Sequence, residues 1–388
     1  MKIGDYMSAL RGAKRVLLEL KRHGYEAYIV GGAVRDHLLK LPLTDVDITT
    51  NAKPYQVAKL FKTKPTGVKY GTVTVMMSDD TYEVTTYRID GTYVDTRHPE
   101  SVTYSDLVEE DVKRRDFRIN GLLMDEREEI IDLVEGRQDI RDKIIRTIGD
   151  PLDRFNEDAL RIMRAFYFQA KLGFDIDQDT LSAIEAQRHL LEKIAMERIM
   201  TEIIKLLKST YAKRAIHAMV TTKVHTVLPG LEKGMIYIDG MQEVPFVDPF
   251  FTICFTLHGS IPDAWPFSNK HRHRYQMASQ LANQYESFDA EALYTYGVDL
   301  CLLANKVNVM LKRARNQRTQ IESDFQNLPI QSELDLKLRA HDLMRLTGKK
   351  AGAWLKEIQK EMVLAILNGR LENKKEALEQ FVLERIKT

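Results

Sequence analysis

The sequence predicts an α+β fold, with a small-sheet head up to about residue 150 and an all-helical remainder. Three observations carry this. Before residue 150, β-branched period-two runs alternate with helical runs. From "GDPLDRFNEDALRIMRAFYFQAKLGF" onward, apolar residues recur at three and four. At 388 residues the chain is also long for a single core, so two to four domains are expected.

The elements follow in order. "MKIGDYMSALRGAKRVLLELKRHGY" reads as an amphipathic helix and lacks the continuous apolar centre of a signal peptide. Tyr28–Val30 reads as a strand, Gly31-Gly32 as a tight turn and Ala33–Lys40 as a helix. "TDVDITT" alternates, and "GTVTVMM" and "YEVTTYR" are period-two strands, with another expected in "EIIDLVEG". "YQVAKLFK" and "RDFRINGLLM" read as helical. Further on, Leu160, Met163, Ala165 and Phe168, then Ile199, Ile203, Leu206 and Leu207, mark helical core faces. "LPGLEKG", "GSIPDAWPFSN" and "NLPIQSELD" break the pattern. The expected divisions are 1–150, 151–211, 212–321 and 322–388. There is no convincing internal repeat and no low-complexity tract.

Composition excludes more than it identifies. Lys+Arg (57) and Asp+Glu (56) nearly cancel, so a polyanion-binding surface would have to be local. Cys254 and Cys301 lie in apolar surroundings without metal-ligand spacing, which predicts a reducing compartment and at most one disulfide. No stretch has the length of a membrane span. A soluble cytoplasmic protein is expected, with no membrane partner. Oligomeric state does not follow from the sequence.

The chemistry concentrates in "GGAVRDHLLKLPLTDVDITT", residues 31–50. Glycines ahead of a helix let backbone N–H groups approach a phosphate, at a terminus whose dipole favours negative charge. Arg35, in the first helical turn, is in reach of the same anion. A plain strand-to-helix turn needing positive φ accounts for the glycine pair equally simply. Asp45 and Asp47 add what that turn does not explain. Strand residues two apart face the same way, so the carboxylates converge while Val46 and Ile48 point inward. Paired like charges call for a cation, and hard oxygen ligands beside a phosphate select Mg²⁺. Glu83 in "YEVTTYR" is a candidate third metal carboxylate, and a solvent-facing strand glutamate fits it as well.

The arrangement GG-x-VRD followed by D-x-D resembles the nucleotidyltransferase superfamily. "RRDFRIN" (114–120), "DLVEGRQDI" (132–140) and "EDALR" (157–161) follow in an order that resembles class II tRNA nucleotidyltransferases, the CCA-adding enzymes, and the bacterial enzymes that add poly(A). The likeness is dense from about 28 to 208 and weaker beyond. It implies a catalytic head, a neck carrying a nucleotide-selecting helix, a helical body and a tRNA-binding tail. It implies CTP and ATP as nucleotide substrates, tRNA as acceptor and two Mg²⁺ ions, with Asp45 and Asp47 as catalytic residues. Gly31, Gly32 and Arg35 would take the triphosphate. Asp116 would hold the ribose 2′-hydroxyl, with Arg114, Arg115 and Asn120 around the nucleotide.

Asp158 and Arg161 are three apart and are expected on one helix face. Asp accepts from the exocyclic amine of cytosine or adenine and Arg donates to the neighbouring ring nitrogen, whereas uracil and guanine reverse both contacts. Such a pair selects C and A without a template. Its bland counterpart is an i,i+3 ion pair on a solvated helix.

Residues 86–111 are long and poorly patterned, and family members that complete the CCA end carry a flexible segment here. Arg88, Asp95 and Arg97 are its candidate switch residues. Local basic clusters, Lys270, Arg272 and Arg274 in "NKHRHRYQ" and Lys349 and Lys350 in "TGKKAGAW", suit RNA phosphates or solvated surface. "MERIMTEIIKLLKS" reads as a scaffold helix. Three positions depart from the family pattern: Arg118 where a small hydroxyl residue is commoner, Tyr167 for a usual Arg, and "LLKLP" without the customary glycine. The rival readings are a poly(A) polymerase, an A-adding half-enzyme and a binding protein with a degenerate site.

Overall fold

The computed structural model describes residues 3–43, 45–78, 80–91 and 102–386. These form two compact units, Met1–Pro229 with Met235–Val244, and Gly230–Gly234 with Pro245–Thr388. The α+β class predicted from the sequence is the one observed.

The first unit opens with α1 (Ile3–Arg22), whose buried Leu10, Ala13, Val16, Leu17 and Leu20 recur at helical spacing. It packs on β1 (Ala27–Val30). There follow α2 (Gly32–Leu38), β2 (Asp47–Thr50), α3 (Pro54–Leu60), β3 (Thr63–Gly67), β4 (Thr72–Met76) and β5 (Thr81–Thr86). A small hairpin, β6 (Arg88–Asp90) with β7 (Val102–Tyr104), leads to α4 (Val108–Lys113). β8 (Leu123–Met124) and β9 (Ile130–Ile131) complete a seven-stranded sheet in the order β3-β4-β5-β2-β1-β8-β9. Within it β2 runs parallel to β5, while β1 lies antiparallel between β2 and β8.

One segment differs from its sequence reading. "RDFRINGLLM" is not a helix: Arg118–Asn120 form a single 3₁₀ turn and Leu123–Met124 pair with β1. Leu122, Leu123 and Met124 are all fully buried, so consecutive residues need an apolar environment on both faces, which an amphipathic helix does not supply. The following "DLVEG" is a turn held by Asp132, whose carboxylate accepts from the backbone N–H of Val134, Gly136 and Arg137. α5 (Gly136–Asp142) then starts against the 3₁₀ turn. A Cβ at Gly136 would stand 2.2 Å from the Arg118 carbonyl oxygen, so only glycine permits this approach.

β10 (Ile144–Ile145) pairs in parallel with β11 (Asp175–Ile176). Between them lie α6 (Pro151–Glu157), capped by Asp150, and α7 (Leu160–Leu172). α8 (Gln178–Gln187), α9 (Met196–Leu207), α10 (Ala212–Thr221) and α11 (Glu232–Asp239) continue the chain. α7 is wedged against α9 and α10 and buries Ile162, Met163, Ala165, Phe166 and Ala170.

The second unit is helical: α12 (Val247–His258), α13 (Asn269–Gln284), α14 (Ala290–Tyr296), α15 (Val298–Met310), α16 (Arg318–Gln326), α17 (Ala340–Thr347), α18 (Ala353–Leu367) and α19 (Lys375–Ile386). Phe251 is ringed by Phe250, Phe255, Trp265, Phe267 and Tyr275 at centroid distances of 5.1–5.9 Å. A separate apolar cluster joins Leu338, Leu343, Met362, Leu378 and Val382. Cys254 and Cys301 are buried free thiols. Among the described residues no helix is long and apolar enough to cross a membrane.

Candidate active site

β1 delivers the chain to Gly31, which adopts φ 76° and ψ −133°, a conformation available to glycine at little cost. α2 begins at Gly32, one residue earlier than the sequence suggests. Directly across the sheet, Asp47 is in register with Val30. Asp45 and Asp47 are both exposed while Val46 and Ile48 are buried, so the expected alternation holds although Asp45 precedes the strand. Glu83 projects from the neighbouring β5 on the same exposed alternation, beside the Ile48–Val84 pairing.

Asp47 lies on a cleft floor, open to solvent yet surrounded by protein. Desolvation raises its pKa, Arg115 opposes the shift, and the Glu83 and Asp45 carboxylates add to it. Among the described residues, no three His, Cys, Asp or Glu side chains are gathered closely enough to hold a metal alone. Asp45 and Asp47 offer hard oxygen donors, and a divalent cation held by one or two carboxylates completes its shell with water and substrate phosphates. The donor chemistry therefore fits a divalent cation.

Gly31, Gly32, Arg35, Asp45, Asp47, Arg115, Asp116, Asn120, Asp158 and Arg161 all border one cleft. Within it, several predicted residues are occupied in ways the sequence did not disclose. Arg35 is only 2 % exposed, with its guanidinium on Asp36 and on Asn120 Oδ1 at 2.5 Å. It braces the glycine turn, with its guanidinium engaged by these two side chains. Arg115 approaches the turn from the other side: its Nη1 is 3.5 Å from where a Gly31 Cβ would be, and its buried Nε has no partner. Arg114 does not border the cleft lining; it pairs with Asp111 at 2.7 Å.

Asp111 is fully buried and also holds Arg115 at 3.0 Å and accepts from the Thr49 hydroxyl. Burial alone would raise its pKa, but Arg115 and Arg114 reverse the sign and lower it. The i,i+3 and i,i+4 spacing from Asp111 to the two arginines is a sequence signal for this anchor.

Asp116 and Asn120 meet through the 3₁₀ turn that stands in place of the expected helix: Asn120 Nδ2 donates to Asp116 Oδ1 at 3.0 Å. Arg164 Nε donates to Asp116 Oδ2 at 2.7 Å. Burial pushes the Asp116 pKa up, yet Arg164, Asn120 and the Phe117 N–H outweigh it and leave the pKa lowered. A lowered carboxyl pKa adds stability above the unfolded value of about 3.9, and this is lost as pH falls through the folded pKa. The stability gap between the native chain and Asp116→Asn is expected to be flat from pH 5 to 8 and to shrink on acidification below about 4. Denaturant titrations across that range measure it.

Asp158 and Arg161 do not share a helix. Asp158 is the extended C-cap of α6 (φ −142°, ψ 101°), and Arg161 lies in the first turn of α7. The break between the two helices nonetheless leaves both side chains on the cleft. Arg198 of α9 holds Asp158 at 3.0 Å, so this helix braces one side of the cleft. Arg161 Nη1 donates to the Arg154 carbonyl and Glu157, both at 2.7 Å, and its Nη2 donates to the Arg114 carbonyl at 3.0 Å. Arg154 Nη2 reaches the Arg114 and Arg115 carbonyls at 2.6 Å. The end of α4 is thus tied to the α6–α7 junction.

The sequence reading missed Asp36, Arg164, Phe168 and Lys171, which also border the cleft. Arg164, Phe168 and Lys171 follow Arg161 at three- and four-residue steps, a signal available in the sequence.

Elsewhere, Arg88 donates to the Tyr70 carbonyl, a tie to neighbouring backbone. Asp95 and Arg97 lie outside the described residues. Of the basic cluster on α13, Arg272 turns to the Trp265 carbonyl at 2.8 Å and Arg274 pairs with Asp248 at 3.1 Å, while Lys270 is exposed. Lys349 and Lys350 occupy the exposed turn between α17 and α18, with Lys349 Nζ 5.8 Å from the Trp354 ring centroid.

A glycine turn set beside converging carboxylates on a mixed sheet, walled by arginines, defines a nucleotidyltransferase head. Residues 27–146 match the poly(A) polymerase head domain, 173–235 the "Probable RNA and SrmB-binding site of polymerase A", and 250–382 tRNA nucleotidyltransferase domain 2. A CCA-adding enzyme of Bacillus cytotoxicus is 38% identical over 394 residues, covering 97% of this chain and 99% of that one. One from Anoxybacillus flavithermus is 37% identical and covers 96% of each. The crystal structure of the Bacillus stearothermophilus CCA-adding enzyme in complex with CTP superposes with a TM-score of 0.82 at 34% identity, covering 100% of this chain and 98% of its own. The chain belongs to the CCA-adding enzyme family of tRNA nucleotidyltransferases. It is an enzyme, in a family that uses divalent metal ions.

Proposed function

We propose that this enzyme adds C, C and A in turn to the 3′ end of tRNA, from CTP and ATP and without a template. The observation that carries this reading is the single cleft bordered by the glycine turn, Asp45, Asp47, Asp116 and the Asp158–Arg161 pair. The names of the relatives and the CTP complex of the Bacillus stearothermophilus enzyme support it.

In this reading Asp45 and Asp47 would hold Mg²⁺, with Glu83 on the neighbouring strand adding negative charge beside them. Two such ions, when bound, supply an acidified attacking hydroxyl and charge neutralisation on the leaving pyrophosphate. The chain's own groups do the positioning. Gly31 and Gly32 let the triphosphate close on the backbone, and Arg115 covers it from the opposite side. Asp116, oriented by Arg164 and Asn120, accepts from the ribose 2′-hydroxyl. Asp158 accepts from N4–H₂ of cytosine or N6–H₂ of adenine. Arg161 has committed both Nη1 hydrogens and one Nη2 hydrogen to protein acceptors, which leaves a fixed donor edge for the ring nitrogen. Catalysis then rests on positioning and electrostatics, with no covalent enzyme intermediate.

The test is extension of a tRNA transcript ending at the discriminator base, with Mg²⁺ and each nucleotide singly or CTP and ATP together. Two additions with CTP alone, and a stop at three with the mixture, are expected. An open-ended ladder with ATP alone would assign poly(A) synthesis; a single A on a transcript already ending in CC, with no use of CTP, would assign an A-adding enzyme. No product under any condition would leave a binding protein.

A further inference from the structure

Around the cleft runs a closed chain of polar contacts that begins and ends on α7. Arg164 holds Asp116, and Asn120 bridges Asp116 to Arg35. Arg35 Nε donates to Asp36 Oδ1 at 2.8 Å, and Lys171 Nζ donates to Asp36 Oδ2 at 2.9 Å. Arg164 and Lys171 are seven residues apart, two turns along one face of α7. Phe168 lies between them, with the Arg35 and Arg164 guanidinium carbons 5.0 and 5.2 Å from its ring centroid. The charged members alternate in sign around the circuit; Arg35, Asp36 and Asn120 at its centre are buried, while Arg164 and Lys171 at its two ends are half-buried.

The circuit joins two parts of the cleft that the proposed function gives different work. Arg35 and Asp36 lie three and four residues beyond Gly32 in α2, on the phosphate side. Asp158, the C-cap of α6, and Arg161, in the first turn of α7, lie on the base side. We propose that Lys171 and Asp36 are positioning residues: their ion pair latches α7 to the glycine turn and so holds the base-reading pair at a set distance from the reacting phosphate. This rests on the nucleotide reading above and extends it to two residues that touch no base. A pocket that reads hydrogen-bond polarity discriminates only while its donors and acceptors cannot shift to meet the wrong base. Loosening the latch should therefore admit uracil before it abolishes transfer.

Lys171→Met is the informative substitution, because Asp36 retains both contacts to Arg35 and no buried charge is stranded. With the full chain and the transcript described above, incorporation from CTP is compared with UTP, alongside thermal unfolding. UTP use relative to CTP is expected to rise about fivefold or more and kcat for CTP to fall about tenfold, as a displacement of about 1 Å costs up to ~10²-fold. Lys171→Arg, which preserves the pairing charge, should restore selectivity to near the native value. Unchanged selectivity in Lys171→Met, whether or not its Tm falls, would overturn the latch and leave a structural ion pair. Failure of Lys171→Arg to improve on Lys171→Met would overturn it as well. A native chain that never uses CTP would instead remove the proposed function, and the latch with it.

Discussion

Asp47→Asn is expected to abolish nucleotide incorporation, by ~10³-fold or more at saturating CTP or ATP, because in the proposed role it removes a metal carboxylate and with it several kcal/mol of charge stabilisation. The amide keeps the shape of the side chain, deletes its charge and replaces one acceptor oxygen with an N–H₂ donor. Stability should move the other way. Burial, Glu83 and Asp45 hold the Asp47 carboxyl above its ordinary pKa, so its ionised form disfavours the folded state at neutral pH. Removing that charge should leave stability unchanged or raise it by up to ~1 kcal/mol, as expected for a group partly open to solvent. Single-turnover extension and thermal unfolding of one preparation give both numbers. Activity within tenfold of the native chain would exclude Asp47 from the reaction. A large loss of stability would show that the carboxylate serves the fold.

Arg161→Met is the second. Here kcat/KM for CTP and ATP should fall by ~10²-fold while UTP and GTP change little, since in the proposed role Arg161 supplies one charged hydrogen bond that only C and A satisfy. Discrimination then collapses instead of activity vanishing. The fold should survive, because Arg154 still donates to the Arg114 carbonyl that Arg161 shares with it. A loss of ~1–3 kcal/mol is expected from the Arg154 and Glu157 contacts. The companion Asp158→Asn presents an N–H₂ where only an acceptor stood, so it should raise use of UTP, whose O4 accepts. If both variants keep native selectivity while losing rate, the pair orders the α6–α7 junction and does not read the base.

The two substitutions also mark where sequence reasoning reached. Asp45 and Asp47 were legible because strand alternation is local: apolar Val46 and Ile48 fix which way the carboxylates point before any partner strand is known. Gly31 was legible for a related reason, since a positive φ is a property of one residue. Asp111, by contrast, became an anchor only when burial removed water from it and left Arg114 and Arg115 as its compensation. Its spacing was visible, but the same spacing on an exposed helix carries little energy.

By itself the sequence determined the α+β class, the amphipathic helices and the turn-plus-carboxylate motif, because each follows from periodicity and residue type over a few positions. Only the tertiary structure decided that 114–124 is a turn and a strand, since pairing with β1 buries Leu123 and Met124 on both faces. It alone decided that Asp158 and Arg161 border one cleft from either side of a break between helices. It alone committed Arg35 to Asp36 and Asn120, residues 1 and 85 positions away. A charged side chain chooses among partners by which of them burial leaves unsatisfied, and burial is a property of the folded chain.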